Sequence, residues 1–500
     1  MKEITPPRNM IRTAILFTVI GFVIYAPVLG NGFLSDDYDS LYRICIQKRI
    51  IYKEFLRPMI DISFYLNYLL SGLSPGSYYI FNISVHIINS LLVFRIAFGF
   101  VMFDKKDQHL FAFLSGLIFL IYPFHNESIV WLSGRLSSMA CLFALLSIII
   151  IRERAGKTAN IIAATFYLLG LLCYESIIFL PLIILMITWM KKSSLKKLSV
   201  TGLFWLTIMC LYLVVRFLLS GEITGDYGNR IADLGLKRKM LNAGKVFGRL
   251  FLPGSENQAL LIIGVVVLFF VSLVIYRAII RKKNSEESSR SKYLSLFIFL
   301  VCSLIIPVAF GVSTRTSEGD RLLYFPSVFL CMLMVSTIVW LSKESLTRTI
   351  TLSIITAYFL VFLEINNLQW VKASSAAHTV LDAIRHRGSR DIILINVPDE
   401  LEGAFIFRNG LVKALIIYKM DTSGIKIVNY LKRTDYLRTG KITPIRILDS
   451  TFLIYPSVRV ENQTNQTIQL VNTKNNSYLT VRKDRNLIYY WNKESLVRLF

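Results

Sequence analysis

Tyr122-Pro123-Phe124-His125-Asn126-Glu127-Ser128-Ile129-Val130-Trp131-Leu132-Ser133-Gly134-Arg135 lies where one apolar run, roughly 109–124, gives way to another, roughly 128–151. Almost no chain is left for a loop, so the two runs read as neighbouring helices meeting at a polar mouth. An apolar stretch of about 20 residues crosses a bilayer as a helix, because every backbone N–H and C=O must be satisfied within it. His125 and Glu127 sit at the rim, and Arg135 lies about two helical turns deeper. An arginine inside a span faces the protein interior and pairs with an acid; the nearest acids by topology are Glu127 and Glu175. The plain structural readings of the same residues are Arg135 as a tie between helices and His125 as an interfacial histidine.

The pattern repeats along the chain. Eleven apolar runs can be marked, at roughly 11–30, 79–103, 109–124, 128–151, 159–174, 176–190, 199–219, 258–280, 293–313, 323–342 and 349–365. With 54% hydrophobic residues among 500 and a mean hydropathy of +0.54, the chain is an α-helical polytopic membrane protein. Long unbroken runs exclude a β-barrel, whose strands alternate. The formal net charge of +24 comes from Lys and Arg that fall mainly between runs and in the C-terminal tail. That distribution argues for topology and for anionic lipid or lipid phosphate, not for nucleic acid. Cys45, Cys141, Cys173, Cys210, Cys302 and Cys331 have no paired spacing, so neither a disulfide framework nor a zinc site is indicated. Residues 1–30 begin basic but end in Ala26-Pro27-Val28-Leu29-Gly30 without a small-residue cleavage site, which predicts an uncleaved first helix.

Orientation follows from the gaps. Lys2, Arg8 and Arg12; Lys105 and Lys106; Arg152, Arg154 and Lys157; Lys191, Lys192, Lys196 and Lys197; Arg281, Lys282, Lys283, Arg290 and Lys292; and Lys343 and Arg348 occupy every second gap. The positive-inside bias places these, and the N-terminus, in the cytoplasm. The outward gaps then hold Asp36, Asp37 and Arg57 in segment 31–78, the His125 turn, Glu175 in Cys173-Tyr174-Glu175-Ser176, the loop 220–257, and Arg315 to Arg321. An odd number of spans leaves 366–500 outside as well, so the division expected is a transmembrane domain 1–365 and a small extracytoplasmic α/β domain 366–500. Segments 40–70 and 237–253 are expected to lie as interfacial helices. In the latter, Met240, Leu241, Val246, Phe247, Leu250 and Phe251 would form one face, with Lys237, Arg238, Lys239, Lys245 and Arg249 around it. In the tail, strands are expected at 392–397, 403–407, 425–430, 445–454 and 479–482, with a helix at 411–420. Sequons stand at Asn462, Asn465 and Asn475.

A site with this composition suits chemistry on a lipid phosphate. The lipid chain enters from the bilayer, cations hold the headgroup, and a carboxylate within reach of an attacking hydroxyl takes its proton. Asp36 or Asp37 can be that base. Adjacent like charges raise the pKa of one member unless a cation or metal offsets them. A pair of aspartates is compatible with a divalent metal but does not by itself call for one. Arg321, in Asp320-Arg321-Leu322-Leu323-Tyr324-Phe325-Pro326-Ser327, reads either as a snorkelling anchor or as a phosphate clamp, for which a guanidinium is well shaped. Arg57-Pro58 carries the same two readings.

Together the acidic pair behind Asn31-Gly32-Phe33, the run Tyr122 to Arg135, Tyr174-Glu175-Ser176 and Asp320 to Ser327 resemble the GT-C superfamily of polytopic glycosyltransferases. The likeness is to the membrane part of the transmembrane-and-tetratricopeptide protein O-mannosyltransferases and their bacterial relatives, over roughly residues 11–365. The resemblance implies transfer of a sugar, with inversion, from a polyprenyl-phosphate carrier to an acceptor protein or glycan outside the cytoplasm. The membrane concerned would be a bacterial inner membrane. It implies Asp36 or Asp37 as the base, Asp36 being favoured by its place in the motif. Arg57, Arg135 and Arg321 would contact the lipid phosphate, and His125, Glu127 and Glu175 would shape the donor pocket. Two positions depart from the family pattern: Tyr122 replaces the first histidine of His-Pro-x-His, and Tyr174 replaces a lysine. The tetratricopeptide tail is absent, which leaves the acceptor open. A ligase of a whole lipid-linked glycan and a transporter or flippase of lipid-linked sugars are the alternatives. A transporter should carry polar or broken residues at mid-membrane depth in several spans, whereas here the ionisable groups gather at one face.

Overall fold

The computed structural model describes residues 10–52, 55–191, 193–221, 235–281, 287–341, 345–428, 430–431, 451–454, 458–462, 464, 466–472, 478–492 and 494–499. Lys2, Arg8, Lys192, Lys282, Lys283 and Lys343, positions 222–234 of the loop 220–257, positions 445–450 of an expected strand, and the sequons at Asn465 and Asn475 lie outside them. The chain forms two compact units, Met1–Leu29 with Ile50–Leu368, and Gly30–Arg49 with Gln369–Phe500.

In the first unit each expected apolar run falls on a helix. Six are long and apolar enough to cross a membrane: Gly76–Gly99, Leu132–Glu153, Leu195–Ser220, Ser291–Phe310, Asp320–Trp340 and Leu346–Arg385, the last continuing into the second unit. Lys105–Leu120 and Pro123–Ile129, bent by 49° at their break, make a seventh if they count as one span. Met10–Ile24, Lys157–Leu171, Glu175–Met190 and Gln258–Phe269 are apolar but shorter. By length and composition the chain is therefore a multi-pass membrane protein with six or seven qualifying helices among the described residues, fewer than the eleven expected. The first run falls short because Pro27 has no N–H to continue the helix, which ends in the 3₁₀ turn Ala26–Gly30.

The backbone between Ile121 and Gly134 is irregular, and it is sheltered by a polar stripe on Gly76–Gly99. Asn82, His86 and Asn89 recur at helical spacing and are fully buried. Asn82 Nδ2 donates to the Ile129 carbonyl at 3.0 Å. His86 Nε2 donates to the Leu120 carbonyl at 3.0 Å, so Nδ1 is left to accept from the Tyr324 hydroxyl at 2.7 Å. Asn89 Nδ2 donates to the Ser138 carbonyl at 2.8 Å. Non-helical backbone in a membrane protein persists only where the protein itself satisfies it; Asn82 does so at Ile129, while His86 and Asn89 hold the helix ends on either side.

Of the two interfacial helices expected, Pro58–Ser71 and Leu236–Arg249 belong to this unit. The expected face of the second is split. Val246 and Leu250 are buried, while Met240, Leu241 and Phe247 are exposed. Arg249, expected at the headgroup rim, is instead buried with both oxygens of Asp320 at 2.5 Å. A desolvated carboxylate needs a cation beside it, and Asp320 draws Arg249 inward.

The second unit joins the helix Asp36–Cys45 to the C-terminal segment, where it packs on the helix Leu411–Ile417. Asp391–Ile395 runs parallel to both Ile425–Ile427 and Asn486–Trp491, and Leu496–Arg498 closes that sheet antiparallel to Asn486–Trp491. A second sheet is the antiparallel series Thr451–Ile454, Val458–Asn462, Thr467–Asn472 and Tyr478–Arg482. Ile393, Ile395 and Ile488 of the first sheet share one core with Ile468, Leu470 and Val481 of the second. The strand expected at 403–407 is only a two-residue pairing, Ala404–Phe405 with Glu400–Leu401, because Gly403 and Gly410, both at positive φ, turn the chain on either side.

Candidate functional site

Four of the residues singled out in the sequence converge in the first unit. Glu127 is fully buried and accepts from the Arg321 backbone N–H at 2.9 Å and from its guanidinium. Glu175 accepts from Arg57 at 3.1 Å through one oxygen and from Arg216 through the other. Tyr174 links the two pairs: Arg57 stacks over its ring at 4.8 Å, and its hydroxyl lies within hydrogen-bonding reach of Arg321. Burial pushes the Arg57 guanidinium down, but Glu175 and Tyr174 together hold it above its ordinary pKa.

Three guanidinium groups are thus held by two carboxylates. Arg216 is sequestered, whereas the Arg57 and Arg321 side chains keep 22% and 20% of their surface. A positively biased cluster with two arginine side chains that keep about a fifth of their surface is matched to an oxyanion with several oxygens, which such planar donors grip bidentately. Arg216 was not anticipated from the sequence. Its signal is an arginine near the end of a 26-residue helix whose other charges, Lys196 and Lys197, stand in the first turn, so the burial cost of a charge deep in the apolar part makes it a candidate by itself.

Beneath the cluster sit the other two. His125 is fully buried, 2.7 Å from the Ser327 hydroxyl through Nε2, with the Tyr324 ring 4.3 Å away. Arg135 is also fully buried, but the acids expected as its partners are taken by other arginines. Its hydrogen bonds include Asn67 Oδ1 at 2.7 Å, Ser63 Oγ at 3.2 Å and the Leu132 carbonyl at 3.1 Å, and it lies over the Phe64 ring at 4.2 Å. Arg135 therefore ties Pro58–Ser71 to the mouth of its own helix, and His125 fixes the segment that carries Arg321. Gly134 completes the mouth, because a Cβ there would overlap the Glu127 carbonyl.

Asp36 and Asp37 belong to the second unit and differ sharply. Asp37 is fully buried, and its Oδ2 accepts from the Leu34 N–H at 3.0 Å, closing the turn that starts its helix. Asp36 is half-buried and accepts from Asn409 Nδ2 at 2.8 Å. Ser35, just before it, stands at a φ of 48°, an uncommon conformation for a residue with a side chain. The turn is clamped by 406–413: the Ile406 carbonyl accepts from Ser35 N–H at 2.9 Å, Phe407 stacks on Tyr38, and Lys413 pairs with Asp39. The part of this segment is to hold the acidic turn. Among the described residues no group of three or more His, Cys, Asp or Glu converges as a metal site.

No family model matches the chain. It is similar to a protein O-mannosyl-transferase of Caenorhabditis elegans, 24% identical over 164 residues, which is 28% of this chain and 23% of the relative. Tmtc1 of Drosophila melanogaster, a protein O-mannosyl-transferase, is 29% identical over 183 residues, 32% of this chain and 21% of the relative. The protein O-mannosyl-transferase TMTC2 of Mus musculus is 35% identical over 95 residues, 19% of this chain and 10% of the relative. The matched stretches thus span less than a quarter of these relatives' own length. Among solved structures, ArnT of Cupriavidus metallidurans bound to undecaprenyl phosphate aligns with a TM-score of 0.45 and 11% identity, over 83% of this chain and 89% of that one. The sequence likeness is to the mannosyltransferase family whose membrane part the motifs resemble.

Proposed function

We propose, from the premise that this chain is similar to protein O-mannosyl-transferases, that it is an inverting glycosyltransferase acting on a polyprenyl-phosphate-linked sugar. It moves the sugar to a protein hydroxyl or a cell-envelope glycan or lipid on the outer face of a bacterial inner membrane. In this reading eleven helices cross the bilayer, the N-terminus is cytoplasmic, and residues 366–500 are extracytoplasmic. The observation that carries the reading is the cluster of Arg57, Arg216 and Arg321 on Glu127 and Glu175, with the Arg57 and Arg321 side chains partly exposed. These two guanidiniums would take up the charge that develops on the departing lipid phosphate, an interaction stronger in the transition state than in the ground state. Asp36 is the proposed base, because a base must reach the acceptor hydroxyl, and Asp37 is engaged in closing its own turn. His125 and Arg135 act as positioning residues for the cluster. The paired aspartates of the acidic turn are compatible with a divalent metal.

The test is incubation of purified protein with a radiolabelled polyprenyl-phosphate sugar, scored by release of free lipid phosphate. Arg57→Ala should lower the rate by ~10²-fold or more, the order seen when one charge-stabilising donor is lost. Asp36→Asn should abolish transfer and leave membrane insertion intact. Full activity in both Asp36→Asn and Asp37→Asn would remove the base assignment. Unaltered lipid crossing the bilayer without release of phosphate would favour the transporter.

A further inference from the structure

The helix that Arg135 opens carries a second basic residue at its other end. Arg135 opens the helix Arg135–Glu153 and Arg152 lies in its last turn, a separation of about 25 Å at the α-helical rise. There Arg152, Lys191 and Lys292 border a cavity of about 380 Å³ walled by Ile148, Phe299 and Phe329. Ligand cavities run from roughly 300 to 1,000 Å³. The distribution of Lys and Arg along the sequence assigns this end to the cytoplasm.

The three cations face backbone carbonyls. Arg152 donates to the carbonyls of Ile96 and, at 3.2 Å, Arg95. Glu153 stands 3.6 Å from Arg152 but is gripped through both oxygens by Arg95, at 3.0 and 2.6 Å. Lys191 Nζ donates to the Ile151 and Arg154 carbonyls at 2.6 and 3.3 Å, and Lys292 Nζ to the Val101 carbonyl at 2.5 Å. Neutral carbonyls at helix ends orient these groups but carry only part of a charge. Burial first, then Lys197 and Arg152, hold the Lys191 ammonium below its ordinary pKa, a strain that a bound anion would relieve. Gly99 keeps the arrangement open, because a Cβ there would overlap the Arg152 guanidinium. Capping of helix ends accounts for the cations alone; it does not account for an apolar cavity between them.

We propose that this cavity binds one anionic phospholipid, its phosphate among Arg152, Lys191 and Lys292 and an acyl chain against Ile148, Phe299 and Phe329. Basic pockets between membrane helices hold acidic lipid headgroups in this way. The site is separate from the cluster proposed to act on the sugar donor, so neither proposal depends on the other.

The experiment uses the full chain in nanodiscs of phosphatidylcholine, titrated with phosphatidylglycerol and read by native mass spectrometry and by melting temperature. One phosphatidylglycerol should be retained per chain, with a rise in melting temperature that salt diminishes. The triple variant Arg152→Gln, Lys191→Gln, Lys292→Gln should weaken retention at least ~10-fold, equivalent to about 1.4 kcal/mol. Ile148→Trp, which leaves the cations in place and fills the cavity, should also lose the lipid, and it decides the matter if the triple variant does not fold. Equal retention of phosphatidylcholine, undiminished retention in the triple variant or in Ile148→Trp, or the same thermal shift from inorganic phosphate alone would each overturn the proposal.

Discussion

Glu127 has no exposed surface and takes both the backbone N–H and the guanidinium of Arg321, so the pair is costly to break from one side. Arg321→Ala leaves a buried carboxylate without that cation and should destabilise the protein by about 3–5 kcal/mol, seen as a lowered melting temperature in detergent. Arg57→Ala differs, because Glu175 keeps Arg216 as a partner; its cost should be about 1 kcal/mol or less. That contrast makes Arg57 the cleaner probe of donor binding. Asp421, exposed in the second unit, gives a prediction in pH. The Ser423 N–H, its hydroxyl and Arg387 hold this carboxylate below its ordinary pKa of 3.8. A depressed folded-state pKa contributes stability that is present above the unfolded value and lost as pH falls through the folded one. The protection of the Ser423 amide, taken relative to its intrinsic exchange rate, should therefore fall on acidification below pH ~4, and Asp421→Asn should abolish that fall. The two acids, Arg57 and Arg321 were legible in the sequence, but Arg216 was not. Their pairing was not, because Arg135 was assigned the acids that Arg57, Arg216 and Arg321 hold, and nothing in a linear chain ranks cations by their reach.

Elements were read most easily where one period dominates. Apolar runs gave the helices of the first unit, and Ile392–Val397 gave the central strand Asp391–Ile395. The strand Thr467–Asn472 was passed over although Ile468 and Leu470 alternate with Thr467 and Gln469, since so polar a face dilutes the signal. Two glycines set junctions between elements. A Cβ at Gly134 would strike the Glu127 backbone, not a movable side chain. Gly134→Ala should accordingly cost roughly 1–3 kcal/mol, as overpacking does, and should lower sugar transfer by displacing the Glu127–Arg321 pair. Gly410 holds a φ of 99° and would bring a Cβ to 2.5 Å of the Ser35 carbonyl oxygen. Gly410→Ala adds conformational strain of roughly 1–3 kcal/mol and should loosen the acidic turn. Faster proteolysis of 30–49 would report it. Unchanged melting and unchanged proteolysis in both variants would show that neither junction is as tight as drawn.

At the scale of the molecule, the membrane-spanning character was plain from hydropathy, because hydrocarbon imposes one constraint on every residue of a span. The grouping of Gly30–Arg49 with Gln369–Phe500 was not, since the segment follows the first apolar run directly and only long-range contacts, such as Asn409 with Asp36, reveal its partner. Topology is the remaining large-scale inference, and it can be tested without reference to activity. If every second gap is cytoplasmic, Ser194, in the gap with Lys191 and Lys197, and Ser74, between Pro58–Ser71 and Gly76–Gly99, lie on opposite sides. In a cysteine-free background of the intact chain, Ser74→Cys should react with a membrane-impermeant maleimide added to whole cells. Ser194→Cys should react only after the membrane is opened. Both positions are in described segments outside the helices, so slow labelling at either would reflect the membrane and not burial in a span. Labelling of both from the same side would break the alternation on which the outward placement of Asp36, Glu127, Glu175 and Arg321 rests.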